Sequence, residues 1–123
     1  MQEKLLKIAV FNTELNRLLE TDFAAFDIYR SKGLMTHLLK HKHFAAAKYI
    51  DYLPNIIANP DYVGYKDGSL EMVKEYKNNV FISIKYDEKS NKYYVATIFD
   101  IKTSKIEAYV KSGRLKNTQG LRP

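Results

Sequence analysis

The sequence predicts an α+β fold in which N-terminal helices pack on a curved antiparallel sheet. Two observations carry that expectation. Before Pro60 the apolar residues recur at helical spacing between capping and breaking residues. From Ser69 the period changes to two, over three runs joined by short polar turns, which is the pattern of an antiparallel meander.

Each element follows from local chemistry. The run LLKIAV within Lys4–Val10 fits a short strand or the start of a helix. Asn12 or Thr13 can cap a helix to about Leu19, with Glu14 favourably placed in its first turn and Leu15, Leu18 and Leu19 on its apolar side. Phe26, Ile28 and Arg30 fit a short strand. Ser31 can cap a second helix over 31–43, and Phe44, Ala47, Ile50 and Leu53 mark a third over 44–58, kinked or restarted at Pro54. Pro60 disfavours helical geometry at Asn59, so Asn59-Pro60-Asp61 is a break. Tyr62–Ser69, with Gly64 and the pair Asp67-Gly68, reads as a loop carrying two tyrosines. Strands are expected over Leu70–Tyr76, Val80–Tyr86 and Tyr93–Phe99, with turns at Asn78-Asn79 and at DEKSN. Thr103 or Ser104 can cap a last short helix, Lys105–Lys111, ahead of Gly113 and a basic tail.

Composition bounds the function. The 123 residues read as a single domain long enough for a real core, and 46% hydrophobic with 28% charged residues is globular rather than disordered. The absence of cysteine excludes disulfides and thiolate metal sites. No apolar run approaches a membrane span, and the N-terminal stretch lacks signal-peptide character, so a cytoplasmic protein with no membrane contact is expected.

The net charge of +6 is unevenly placed. Residues 30–48 carry Arg30, Lys32, Lys40, Lys42 and Lys48 and no acid, while 102–123 carry Lys102, Lys105, Lys111, Arg114, Lys116 and Arg122 against Glu107 alone. Two such segments suggest a polyanion partner held in one shared basic cleft. The alternative is a solvated surface that aids solubility.

All three histidines fall in RSKGLMTHLLKHKH. On a helix His37 and His41 stand at i and i+4, projecting from one face, with Leu34, Leu38 and Leu39 available to bury elsewhere. Three readings are open: acid–base chemistry near neutral pH, solvated surface histidines, or a metal pair completed by a remote acid. Arg30 and Lys40 flank them as phosphate-binding candidates. Lys85 lies on the side of its strand opposite Val80, Ile82 and Ile84, a position where a lysine is usually just a solvated charge. Pairing Tyr86 with Tyr93 sets Tyr94 beside Lys85, whereas a one-residue slip sets Thr97 there. In Lys111-Ser112-Gly113-Arg114 the glycine permits a sharp turn, Ser112 offers a hydroxyl, and Arg114 can fork onto a phosphate. A frayed basic end is the plainer reading. Of the ten tyrosines, Tyr62, Tyr65 and Tyr94 are the ones placed to stack on a base.

Several phrases taken together resemble a known group. IYRSKGLMTHLLKHKH, YLPNIIANPDYVGY, SLEMVKEYKNNVFISIKYDE, YYVATIFDI and KSGRLK, in that order over about Phe26–Lys116, resemble the phage and mobile-element branch of the barnase, EndoU, colicin and RelE-type ribonuclease fold. The resemblance implies helices on one face of a curved antiparallel sheet and RNA on the other. It implies RNA cleavage without metal or cofactor, by attack of the substrate's own 2′-OH. His37 and Arg114 are then the foremost catalytic candidates, followed by Lys85, Thr97 and His41. Arg30, Lys40, Tyr65, Tyr94, Lys111 and Ser112 are expected to bind substrate. A toxin or mobile-element effector of this kind implies an acidic antitoxin or immunity protein as partner. The competing expectation is an inactive RNA- or protein-binding module on the same fold.

Overall fold

The computed structural model describes residues 5–40 and 48–119. Strand β1, Leu5–Val10, resolves the choice at LLKIAV in favour of a strand. Asn12 then accepts the Glu14 N–H at 3.0 Å and starts a 3₁₀ turn, Thr13–Leu15, that continues as α1, Asn16–Leu19. Strand β2 is Asp27–Ser31 and helix α2 is Leu34–Lys40. The Ser31 hydroxyl accepts the Gly33 N–H at 2.9 Å, so it shapes the turn ahead of α2. Residues 41–47, where one expected helix ends and the next begins, lie outside the described residues. A 3₁₀ turn, Ile50–Tyr52, leads into α3, Leu53–Ala58, with Pro54 in its first turn, where a missing N–H costs nothing.

The loop expected over Tyr62–Ser69 is corrected. It is strand β3, Tyr62–Lys66, a two-residue turn, and the start of β4, Ser69–Glu75. Asp67 at φ 51° and Gly68 at φ 78° give the turn the left-handed backbone that matches the twist of a tight hairpin. Strand β5, Asn79–Asp87, follows the expected alternation, β6, Lys92–Asp100, stands where a strand is expected, and α4, Thr103–Lys111, and β7, Lys116–Asn117, come after them. Neither expected cap serves α4: Lys102 is its N-cap residue, and the Thr103 hydroxyl accepts from Asn79 at 3.1 Å.

The seven strands form one sheet in the order β1-β2-β6-β5-β4-β3-β7. It is wider than a three- or four-stranded meander and is not purely antiparallel. Strand β2 joins β6 in parallel through Ile28↔Tyr93 and Tyr29↔Tyr94. The polar turns fix only the neighbours they connect, whereas this pair is closed by a connection that passes through α2, α3 and three strands.

Strand alternation divides the core. Leu70, Met72, Val80, Ile82 and Ile84 face one side, in one cluster with Leu34 and Leu38 of α2 and Leu53, Ile56 and Ile57 of α3. Val73 and Phe81 face the other side and cluster with Ile101, Ile106 of α4 and Leu115. Each fully buried aliphatic side chain contributes about 1.5–3 kcal/mol, so both clusters anchor their helices. The second cluster is the smaller, and it leaves Lys85 and Thr97 on its own face of the sheet exposed.

Candidate functional site

A single cross-strand row organises the second face. Gly64 of β3 pairs with Glu71 of β4, Glu71 with Ser83 of β5, and Ser83 with Thr97 of β6. The Ser83 and Thr97 hydroxyls lie 2.7 Å apart and share a hydrogen bond. One step along the strands, Lys85 pairs with Tyr94. On the other side lies the apolar row Val73, Phe81 and Phe99, where the two phenyl rings stack at 4.7 Å.

The position of Thr97 and Tyr94 is not the either-or choice that hairpin register alone allows. The β5–β6 register shifts between Ser83 and Ile84, so Ser83 meets Thr97 while Ile84 meets Val95. Ala96 is the extra residue of a β-bulge. Tyr86 still pairs with Tyr93, and both Tyr94 and Thr97 reach the face that carries Lys85.

Arg114 closes the row from above. Gly113 ends the turn after α4, and the main chain of Arg114 lies directly on Gly64, where a Cβ would collide with the Arg114 carbonyl oxygen. From there Arg114 Nε donates to Glu71 Oε1 at 2.8 Å and Nη2 donates to Oε2 at 2.6 Å. The guanidinium carbon lies 4.2 Å from the centre of the Tyr109 ring. Hydrogen bonding to Glu71 holds the Arg114 pKa above its ordinary value, against the opposing effect of partial burial. Glu71 is 5% exposed, whereas the Arg114 side chain is 30% exposed. The pair is thus a buried carboxylate that aims a cation toward solvent, with Nη1 left uncommitted to Glu71. Ser112 braces the turn: its hydroxyl donates to the Tyr109 carbonyl at 3.0 Å and accepts the Arg114 N–H at 3.4 Å.

The sequence candidates therefore fall into two groups. Lys85, Tyr94, Thr97, Ser112 and Arg114 gather on the second face, with Lys111 exposed at the end of α4. Arg30, His37 and Lys40 belong to β2 and α2, and α2 buries Leu34 and Leu38 in the first cluster. Arg30 donates to the Ser31 carbonyl at 3.1 Å. Among the described residues, α2 and α4, one from each basic stretch, bury their apolar sides on opposite faces of the sheet, which corrects the single shared cleft expected from charge. A recess of about 430 Å³ lies between the start of α2 and β6, and of these candidates Tyr94 lines it. Ser31, Gly33 and Leu34 at the start of α2 form one wall, and Tyr94, Val95 and Ala96 another. His41 and His43 lie outside the described residues. The Tyr65 ring packs edge-on against Phe23 at 5.3 Å and stays 42% exposed, whereas Tyr62 packs against the second apolar cluster.

Glu71 and Gly64 are the residues holding Arg114 in place that sequence reasoning missed. Glu71 reads as the polar side of an alternating strand, and only pairing with Arg114, 43 positions later, distinguishes it. The signal for Gly64 is a glycine inside what proves to be a strand, a mark of close backbone approach. Among the described residues no three His, Cys, Asp or Glu side chains gather to hold a metal ion, and no helix is long and apolar enough to cross a membrane.

No curated protein and no solved structure matches the chain. The family described as phage-Barnase-EndoU-ColicinE5/D-RelE like nuclease3 matches residues 6–108, a span that includes Glu71, Ser83, Lys85, Tyr94 and Thr97 and stops short of Arg114. A match over most of the chain, on a seven-stranded α+β framework, places this protein: it belongs to that phage nuclease family.

Proposed function

We propose that the protein is a metal-independent endoribonuclease that cleaves RNA by attack of the 2′-OH on the adjacent phosphate, and that it acts in the cytoplasm as a toxin or mobile-element effector. The observation that carries the reading is the Glu71–Arg114 pair on an exposed polar row. RNA brings its own nucleophile. What the protein must add is charge stabilisation of the phosphorane and a path for two protons.

Arg114 is the group suited to the first task. Glu71 removes its rotamer freedom, so the guanidinium meets a phosphate without reorganising. Lys85, exposed two residues from Ser83 on the same face, adds a second cation, and the Ser83 and Thr97 hydroxyls offer hydrogen bonds to phosphate or ribose. Glu71 is a positioning residue in this scheme, since both its oxygens are engaged by Arg114. Proton transfer is assigned to His37, with His41 as its neighbour in sequence. Imidazole titrates near neutral pH, and α2 begins at the recess whose far wall is Tyr94. The excess of basic over acidic residues suits RNA as substrate and an acidic antitoxin or immunity protein as neutralising partner.

Paired RNA and DNA oligonucleotides of one sequence test the reading. Cleavage of the RNA with the DNA left intact is expected. Equal cleavage of both would remove the 2′-OH from the mechanism.

A further inference from the structure

Beside Arg114 the edge of the sheet is incomplete. Strand β7 covers β3 only at Tyr62 and Val63, through Tyr62↔Asn117 and Val63↔Lys116. In a hairpin with a two-residue turn the flanking residues form a hydrogen-bonded pair, so Lys66 bonds Ser69 and Gly64 bonds Glu71. The peptide groups of Val63 and Tyr65 therefore point the other way, out of the edge. Lys116 stands opposite Val63. The β3–β7 register ends there, and the N–H and C=O of Tyr65 open into a recess of about 630 Å³.

The walls of this recess are chemically mixed. Leu18 and Leu19 of α1 form an apolar side, and Lys66, Arg114 and Lys116 supply cations. Glu20 is the acid on its rim, and its carboxylate lies 3.7 Å from the Lys116 ammonium. Tyr109, which underlies the Arg114 guanidinium, reaches the same space.

We infer that this recess is a base-recognition subsite in which the main chain of Tyr65 reads the edge of one RNA nucleobase next to the phosphate held by Arg114. The inference rests on the ribonuclease reading and names the part of the substrate that reading leaves open. One outward N–H and one outward C=O match the neighbouring acceptor and donor on the edge of a base. A single open residue is too short to add a peptide strand, which needs a run of main-chain bonds. Cations outnumber acids on the rim, and Arg114 belongs both to the recess and to the polar row, so a base seated here is continuous with its phosphate.

The main-chain role can be separated from the side chain. At an outward-facing edge position proline removes the N–H while leaving the hairpin bonds to β4 in place. Cleavage ends mapped across a random RNA pool are expected to show a base preference beside the cut. Tyr65→Ala should keep that preference, and Tyr65→Pro should flatten it at least about tenfold, the scale of one lost base-edge hydrogen bond. A preference unchanged in a folded Tyr65→Pro protein would overturn the subsite, and so would wild-type cleavage with no base preference. A second measurement does not depend on the proline variant folding. Amide exchange at Tyr65 in the wild-type protein should slow when a 2′-deoxy-blocked oligonucleotide binds. An unchanged rate with bound oligonucleotide, or slowing by an acidic peptide in its place, would contradict the inference. A wild-type protein that cleaves no RNA would instead defeat the ribonuclease reading itself.

Discussion

Arg114 and Glu71 meet through two parallel hydrogen bonds, at 2.8 and 2.6 Å, across 43 residues of sequence. This fork is how a strand carboxylate with almost no exposure holds a turn cation on the surface. Charge-assisted bonds of this geometry contribute about 1.5–3 kcal/mol each when neither partner is left stranded, and the partial exposure of Arg114 puts this pair toward the lower end. Glu71→Gln keeps the shape and removes the charge. It should lower stability by about 1–2 kcal/mol in a thermal melt. Cleavage should fall about tenfold, because Arg114 then has to be oriented as substrate binds. Arg114→Lys should lose at least as much, since a lysine cannot fork onto two oxygens.

Gly64 holds the same cation by having no side chain. A methyl group at this position meets the Arg114 carbonyl, which is main chain and cannot swing aside as a side-chain tip can, and lies 3.2 Å from a Leu115 methyl. Gly64→Ala should therefore cost about 1–3 kcal/mol, the usual range for overpacking, and lower activity more than the lost stability explains. Activity measured well below the melting temperature separates the two effects.

Lys85 is expected to act through charge alone. Lys85→Glu should weaken RNA binding and reduce the slope of log affinity against log salt by roughly one, as for the loss of one phosphate contact. A slope that stays at its wild-type value would take Lys85 out of the interface.

His37→Ala should lower RNA cleavage by at least roughly a hundredfold, the scale of one general acid or base. The pH–rate profile should follow a group near 6–7, the imidazole range. Arg114 does not contribute to that profile. Its folded pKa is raised, so its charge-linked stability is present below the unfolded value and is lost only as pH climbs beyond the working range. A folded His37→Ala protein with wild-type activity would leave the chemistry to Arg114 and Lys85.

The alternation of Val80, Ile82 and Ile84 against Phe81, Ser83 and Lys85 made β5 legible in the sequence, and Leu70 and Met72 did the same for β4. Strand β6 was legible as an aromatic and β-branched run after a polar turn, although its buried Val95 and Ile98 stand three apart across the bulge. Strand β3 was hidden because Gly64 and two tyrosines break its apolar rhythm, although Asp67-Gly68 was the hairpin signal that would have revealed it. The parallel β2–β6 contact was not legible, since nothing local records which distant strand completes a sheet. Within the site, Arg114 and Lys85 were candidates through the family resemblance, since charge alone reads them as a basic tail and a solvated strand lysine. Glu71 did not, because its importance lies in a partner brought near only by folding.

The most direct test of the central claim is incubation of the protein with mixed RNA in excess chelator, followed by chemical analysis of the new ends. The account predicts cleavage at an undiminished rate, leaving 2′,3′-cyclic phosphate on one fragment and 5′-hydroxyl on the other, because the 2′-OH is the nucleophile and Arg114 carries the phosphorane charge. Cleavage abolished by the chelator, or 5′-phosphate ends, would contradict it.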